Sequence, residues 1–251
     1  MAEFESQRVA AAVKGLEKIQ PRRNKKKGVV TVEMMMVLKE YVIMSENNDY
    51  DKALLWFILC ALLFGAFRGA ELIATGVDKV TQGKTMFWNQ ISKEEVEMEG
   101  QRIKLLKISL VGAKEVAGND EKVVELFETK TDICPVAALE EIIKVRQPRG
   151  SSPVAEWSSG KLMTTSYINK ILKIALVDMT DWEKEPITIH CFRAALPSIM
   201  QEIGEKGEDI QMVGRWSSGA YKVYTRSSQP SNSIAKYKLS MRIREEIVKR
   251  L

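Results

Sequence analysis

The stretch that decides the fold runs from Ala53 to Phe67, ALLWFILCALLFGAF, fifteen consecutive residues without a charge. Crossing a membrane takes about 20 apolar residues, and this run stops short of that, at Arg68 and Glu71. It therefore reads as a helix buried in a protein core, within a longer helical segment from about Asp51 to Ile73. On its N-terminal side, Thr31 precedes an apolar-periodic run through Met34, Met35, Val37, Leu38, Tyr41 and Val42, the pattern of an N-cap followed by an amphipathic helix. On its C-terminal side the character changes. From Val77 to Leu126 the chain is rich in β-branched residues and glycines, and alternation in RIKLLKISL (102–110) and KVVELF (122–127) predicts strands of a small antiparallel sheet.

Helical pattern returns after the sheet. Pro135 stands where a first turn begins, and VAALEEIIKV continues it to the loop RQPRGSSP at 146–153. Further helices are expected over 164–178, 190–204, 207–214, 217–224 and 232–251. Helices, a small sheet, then helices again make an α+β layout, mostly helical, with no βαβ alternation.

Bulk composition agrees with a folded chain. Of 251 residues, 45% are apolar and 28% charged, which excludes a largely disordered polymer. Lys and Arg outnumber Asp and Glu by 38 to 33, a mild excess compatible with nucleic acid. Its densest run, KIQPRRNKKK from Lys18 to Lys27, places Arg22, Arg23, Lys25, Lys26 and Lys27 close enough together to lie along a phosphate backbone, to serve as an import signal, or simply to be solvated as a linker. Before it, residues 4–19 set Phe4, Val9, Val13, Leu16 and Ile19 among charges at helical spacing, and Pro21 ends that pattern.

Cys60, Cys134 and Cys191 are odd in number and widely spaced, with no C-x-x-C pair, so neither a zinc site nor a disulfide framework is indicated. The start MAEFESQRVA has no apolar stretch behind its Met and is not a secretory signal. No Walker-type phosphate loop and no paired carboxylates of a glycosidase or metal nuclease stand out, and no cofactor or metal is expected.

Chemistry concentrates in three places. The sole histidine, His190, precedes Arg193 in ITIHCFRAAL, and on a helix these positions share a face. Downstream, GRWSSGAYKVYTR (214–226) brings Trp216, Tyr221 and Tyr224 between Arg215 and Arg226. Upstream, LFGAFRGAELI (63–73) ends the apolar helix on Arg68, with Glu71 three residues on.

Together these boxes resemble the tyrosine recombinases, the phage-integrase family, and are most similar to the eukaryotic branch found in DIRS-type and Crypton mobile elements. In that branch a Gly-Arg-Trp opening and a Tyr-x-Arg ending frame the last box, as at Gly214 to Trp216 and Tyr224 to Arg226. The likeness spans about residues 15–240. It implies a catalytic domain over 28–251 with a small three-stranded antiparallel sheet, and over 1–27 an N-terminal helix and basic linker, the remnant of a core-binding domain. It also implies DNA cleavage and rejoining through a 3′-phosphotyrosine, double-stranded DNA as partner, no membrane, a homotetramer on DNA joined through the C-terminal helix, and location in the nucleus if the source is eukaryotic. That helix reads equally as packing on its own domain.

By this resemblance Tyr224 is the nucleophile, with Tyr221 the competing candidate. Arg68, His190, Arg193 and Trp216 attend the phosphate, and Lys114, in LVGAKEVAG, protonates the leaving oxygen, with Lys107 and Lys130 as alternatives. The residue types suit the chemistry. Guanidiniums stay charged and present paired donors to the non-bridging oxygens, indole is a donor only, and a phenol with a reference pKa of about 10 requires nearby cations to ionise.

Two features depart from the family pattern. Pro197 lies four residues after Arg193 and is expected to kink or shorten its helix. Only about 27 residues precede the domain, where relatives carry a DNA-clamping domain of about a hundred. The alternatives are accordingly a catalytically inactive DNA-binding protein of the same fold, or a nicking and closing enzyme like the type IB topoisomerases.

Overall fold

The computed structural model describes residues 28–74, 80, 85–110, 122–202, 204–214, 241, 242, 244, 245 and 248. The expected helices at 4–19 and 217–224 and the basic run at 18–27 lie outside these residues.

Helix α1 (Val32–Met44) begins where the sequence placed its cap: the Thr31 Oγ1 accepts the Met34 N–H at 3.3 Å. Helix α2 (Asp49–Gly65) is the apolar stretch. Asn48 caps it through the Asp51 N–H, and every residue from Phe57 to Gly65 is buried. It is the central strut around which the other elements pack, as a helix apolar on all sides must be. The expected continuation to Ile73 does not occur. Ala66 turns left-handed at φ 44°, and the chain re-enters a single helical turn, α3 (Gly69–Leu72). Gly65 permits the break. A Cβ there would stand 2.1 Å from the Phe67 ring, which is fully buried over the helix end.

The sheet is antiparallel in the order β1 (Ile91–Met98), β2 (Gln101–Leu110), β3 (Lys122–Phe127). Glu99 and Gly100, both at positive φ, form the two-residue turn between β1 and β2, the conformation whose twist matches that of the strands it joins. The two faces of β2 serve different clusters. Leu106, Ile108 and Leu110, with Val124 and Leu126 of β3, face the main core. Ile103 and Leu105, with Phe127, face the other way, where Val96, Met98 and Met241 pack against them. Lys93 and Lys104 fasten the sheet to helix α4 (Pro135–Val145) through Glu140. The hydrogen bond from Lys104 holds the Glu140 carboxyl below its ordinary pKa, burial opposing this and Lys93 adding to it. Pro135 occupies the first turn of α4, as read from the sequence.

Helices α5 (Thr165–Ala175), α6 (Ile189–Glu202) and α7 (Gly207–Gly214) complete the described fold. Pro197 does not shorten α6, which runs through it to Glu202. Buried Leu196, Ile199 and Met200 hold the turns on both sides of the proline, and Ser198 Oγ donates to the Ala194 carbonyl at 2.7 Å. One missing N–H is outweighed by packing on both flanks. Near the C-terminus, Met241 meets the sheet of its own chain and Arg242 pairs with Glu205 at 2.5 Å. The described part of this segment therefore rests on its own domain.

Candidate active site

Arg68 leads into α3 at the break that follows the buried helix. Its backbone N–H donates to Glu71 Oε2 at 2.9 Å and its Nη1 donates to Glu71 Oε1 at 3.1 Å. Glu71, mostly buried, is thus the ion-pair partner that orients a half-exposed guanidinium.

His190 and Arg193 sit in the first two turns of α6, on one face as their spacing required. The start of this helix is fixed by side chains. Cys191 stands three residues after Thr188, and its Sγ accepts the Thr188 N–H at 3.2 Å, filling the place a Glu or Gln takes in a capping box. The Ile189 N–H donates to Asn169 Oδ1 of α5 at 2.9 Å. His190 is exposed between the buried Ile189 and Cys191.

Arg193 is a junction. Its Nη1 donates to the Ala66 carbonyl at 3.1 Å and its Nη2 to the Gly214 carbonyl at 3.0 Å. The first acceptor lies two residues before Arg68, the second two residues before Trp216. A second contact joins the same segments, for a Cβ on Gly69 would stand 2.9 Å from Ile189 Cδ1. The residue after Arg68 therefore backs directly onto the residue before His190. Three separate stretches of chain, 66–69, 189–193 and the end of α7, meet through main-chain atoms and one glycine.

Of the residues expected from sequence, the structure brings Arg68, His190 and Arg193 to this corner. Lys114, Trp216, Tyr221 and Tyr224 lie outside the described residues. The two alternative lysines are among the described residues. Lys107 on β2 is bound to Glu94 at 2.6 Å, and that hydrogen bond raises its pKa, so it parts with its proton less readily. Lys130 is exposed at left-handed φ 55° in the turn after β3. Sequence reasoning missed Asn169 and the carbonyl acceptors of Arg193, whose partners lie 20, 127 and 21 residues away and leave no local signal. The Gly-Ala-Phe-Arg-Gly run was the one cue to the break at Ala66.

A buried helix, a three-stranded antiparallel sheet, and a later helix carrying His190 and Arg193 back to Arg68 define the fold of the tyrosine recombinase catalytic domain. Among solved structures it resembles are an FLP recombinase–Holliday junction complex, 13% identical over 96% of this chain and 57% of that one, with a TM-score of 0.52. A Flpe–Holliday junction complex is 16% identical over 93% and 58%, TM-score 0.53. The XerH site-specific recombinase bound to difH substrate, a pre-cleavage complex, is 13% identical over 80% and 51%, TM-score 0.51. The chain thus spans somewhat more than half the length of these proteins, and at such identity the likeness is one of fold. No family model matches the sequence, and no curated protein matches it significantly.

Proposed function

We propose that this chain cuts and rejoins DNA strands through a 3′-phosphotyrosine intermediate, as a recombinase or integrase. The observation that carries the reading is the Arg193 junction, which joins the segment of Arg68 and the helix of His190 to the Gly214 end of α7. The neighbouring structures, complexes with Holliday junctions or with difH substrate, support it.

The chemistry follows from the residues. The Tyr224 oxygen attacks the phosphorus as its phenolic proton passes to His190 or to solvent, and the bond to the 5′-oxygen breaks. Lys114 supplies the proton that makes the leaving group a 5′-hydroxyl. Arg68 and Arg193 stabilise the charge that builds on the non-bridging oxygens, Trp216 donates its indole N–H to them, and His190 assists the proton movement. Attack by a 5′-hydroxyl on the phosphotyrosine reverses the step, so no nucleoside triphosphate is consumed. Affiliation with DIRS-type and Crypton elements, action as a tetramer on duplex DNA and a nuclear location belong to the same proposal.

The test is incubation with a nicked suicide duplex followed by denaturing electrophoresis. A covalent adduct that persists in Tyr221→Phe and vanishes in Tyr224→Phe supports the reading. A second reading is a DNA-binding protein of this fold without cleavage. Two of the five N–H donors of Arg193 are held by backbone carbonyls, and those two reach a phosphate only by leaving them, which is the observation in its favour. Absence of an adduct on every duplex, with salt-dependent DNA binding retained, selects that reading.

A further inference from the structure

We infer that Asn169 is a positioning residue for the site, an inference that rests on the cleavage reading above. Asn169 sits on α5 and belongs to neither arginine segment, yet its Oδ1 accepts the backbone N–H of Ile189 at 2.9 Å. First-turn N–H groups of a helix have no acceptor within the helix. At the start of α6 a neighbouring helix supplies one.

The position of this bond gives it leverage. Ile189 is the first residue of α6, 3% exposed, with its side chain against Gly69, the residue after Arg68. His190 follows it directly. Ile189 is therefore a pivot, held on its backbone by Asn169 and resting on the Arg68 segment through its side chain. A helix turns about 100° and rises about 1.5 Å per residue. A slip of a fraction of a residue at this end accordingly moves the His190 imidazole relative to Arg68. Arg193, one turn on, is anchored independently to Ala66 and Gly214, so His190, next to Ile189 in the first turn, is the group most exposed to loss of the Asn169 acceptor.

The acceptor and the amide can be separated by substitution. Asn169→Leu keeps the side-chain shape and removes the acceptor, whereas Asn169→Asp keeps it and adds a negative charge where a helix N-terminus favours one. In single-turnover cleavage of the suicide duplex at saturating protein, Asn169→Leu is expected to slow the chemical step by about 10- to 100-fold, the range for displacements of about 1 Å, with DNA affinity unchanged. Asn169→Asp is expected to cleave within about threefold of the unsubstituted protein by the same reasoning.

A readout independent of cleavage goes with this. His190 is the sole histidine, so its imidazole gives one assignable set of nuclear magnetic resonance signals. Asn169→Leu is expected to shift those signals and speed hydrogen exchange at the Ile189 amide, and Asn169→Asp to leave both near their original values. Unmoved imidazole signals and unchanged Ile189 exchange in Asn169→Leu overturn the inference, whether or not the protein cleaves DNA. So does an Asn169→Asp protein that behaves as Asn169→Leu does. Absence of an adduct from the unsubstituted chain, with the imidazole and exchange responses as expected, refutes the cleavage reading and retains the positioning.

Discussion

The Arg193 junction makes a quantitative prediction about stability that is independent of catalysis. Each of its two bonds to a carbonyl, at 3.1 and 3.0 Å, has a charged donor, and such bonds contribute about 1.5–3 kcal/mol each. Arg193 is only half-buried, which places both near the lower limit. Arg193→Met keeps much of the apolar stem and deletes both bonds, so a loss of about 3 kcal/mol is expected. Arg193→Lys reaches one carbonyl and not two, because its ammonium lacks the planar fork, and a loss of about 1.5 kcal/mol is expected. For a chain of this size about 1 kcal/mol corresponds to roughly 2–4 °C in Tm. Arg193→Met should therefore melt about 6–12 °C lower and Arg193→Lys about half as far below the unsubstituted protein. Urea denaturation followed by circular dichroism checks the energies, with an unchanged slope showing that stability alone has moved. An Arg193→Met protein within about 0.5 kcal/mol of the unsubstituted one, the ordinary scale of a surface substitution, would refute the junction.

Other elements give shorter tests. Gly65→Ala drives a methyl group into the Phe67 ring and should cost about 1–3 kcal/mol in thermal unfolding; neutrality would show that the ring moves aside freely. Asp51, 8% exposed, accepts from the Ser158 N–H at 2.7 Å, from Ser158 Oγ at 2.9 Å and from Asn48 Nδ2 at 2.8 Å. Asp51→Ala should release the loop over 146–163 to limited proteolysis with α4 intact, and an unchanged cleavage pattern would contradict this. The lowered carboxyl of Glu140 contributes stability that is present above the unfolded value near 4.5 and is lost as pH falls through the lower folded value. Glu140→Gln should therefore differ slightly from the unsubstituted protein at pH 7, by less than about 1 kcal/mol for so exposed a pair, and not at all at the acid end. A difference that grows on acidification would reverse the sign. The Cys60 thiol, fully buried and pushed well above its usual pKa first by burial and then by Cys134, should resist maleimide until the protein unfolds; rapid native labelling at Cys60 would refute that burial.

What the sequence made legible was local. Thr31 and Pro135 mark helix starts because their effect is confined to one turn. The apolar run at 53–67 announces a buried helix because no other environment accepts so many uncharged side chains. The break at Ala66, with only its flanking glycines as a cue, was obscure for the opposite reason. A left-handed alanine is held by what surrounds it, the Phe67 ring over Gly65, whose placement no apolar pattern records, and the bond to its carbonyl from Arg193, 127 residues away. Strand β1 was equally obscure. ISKEEVEM carries four charges, and as the edge of the sheet it turns only Val96 and Met98 to the smaller apolar cluster. At Pro197 the local rule expected a kinked or shortened helix, and α6 is not shortened, since burial on both sides of the proline accompanies its run to Glu202. The site divides in the same way. That His190 and Arg193 share a helix was legible in their spacing, while Asn169, which accepts the Ile189 N–H at the start of that helix, was hidden by the 20 residues between it and its partner.

That division has a consequence for which substitutions the corner tolerates. The contacts joining its three stretches end on main-chain atoms, the Ala66 and Gly214 carbonyls and the Ile189 N–H, or on the missing side chain of Gly69. Main-chain atoms are the same in every residue, so the identities of Ala66, Gly214 and Ile189 matter chiefly through conformation and packing. The side chains that reach across, Arg193 and Asn169, bear the chemical constraint, and Gly69 bears the steric one. A substitution scan of 66–69, 169, 189–193 and 214 scored for folding should therefore penalise Arg193, Asn169 and large residues at Gly69, and accept Ala66→Gly, which removes the left-handed strain at φ 44°. Ala66→Gly separates the two possible origins of that backbone turn. If the Phe67 ring and the Arg193 bond impose it, glycine relieves strain of about 1–2 kcal/mol, offset by the greater freedom of unfolded glycine, about 0.4–1 kcal/mol, and the protein is at least as stable as before. If instead the alanine methyl itself packs the turn into place, glycine destabilises, and the turn at Ala66 is a product of side-chain packing and not of the junction.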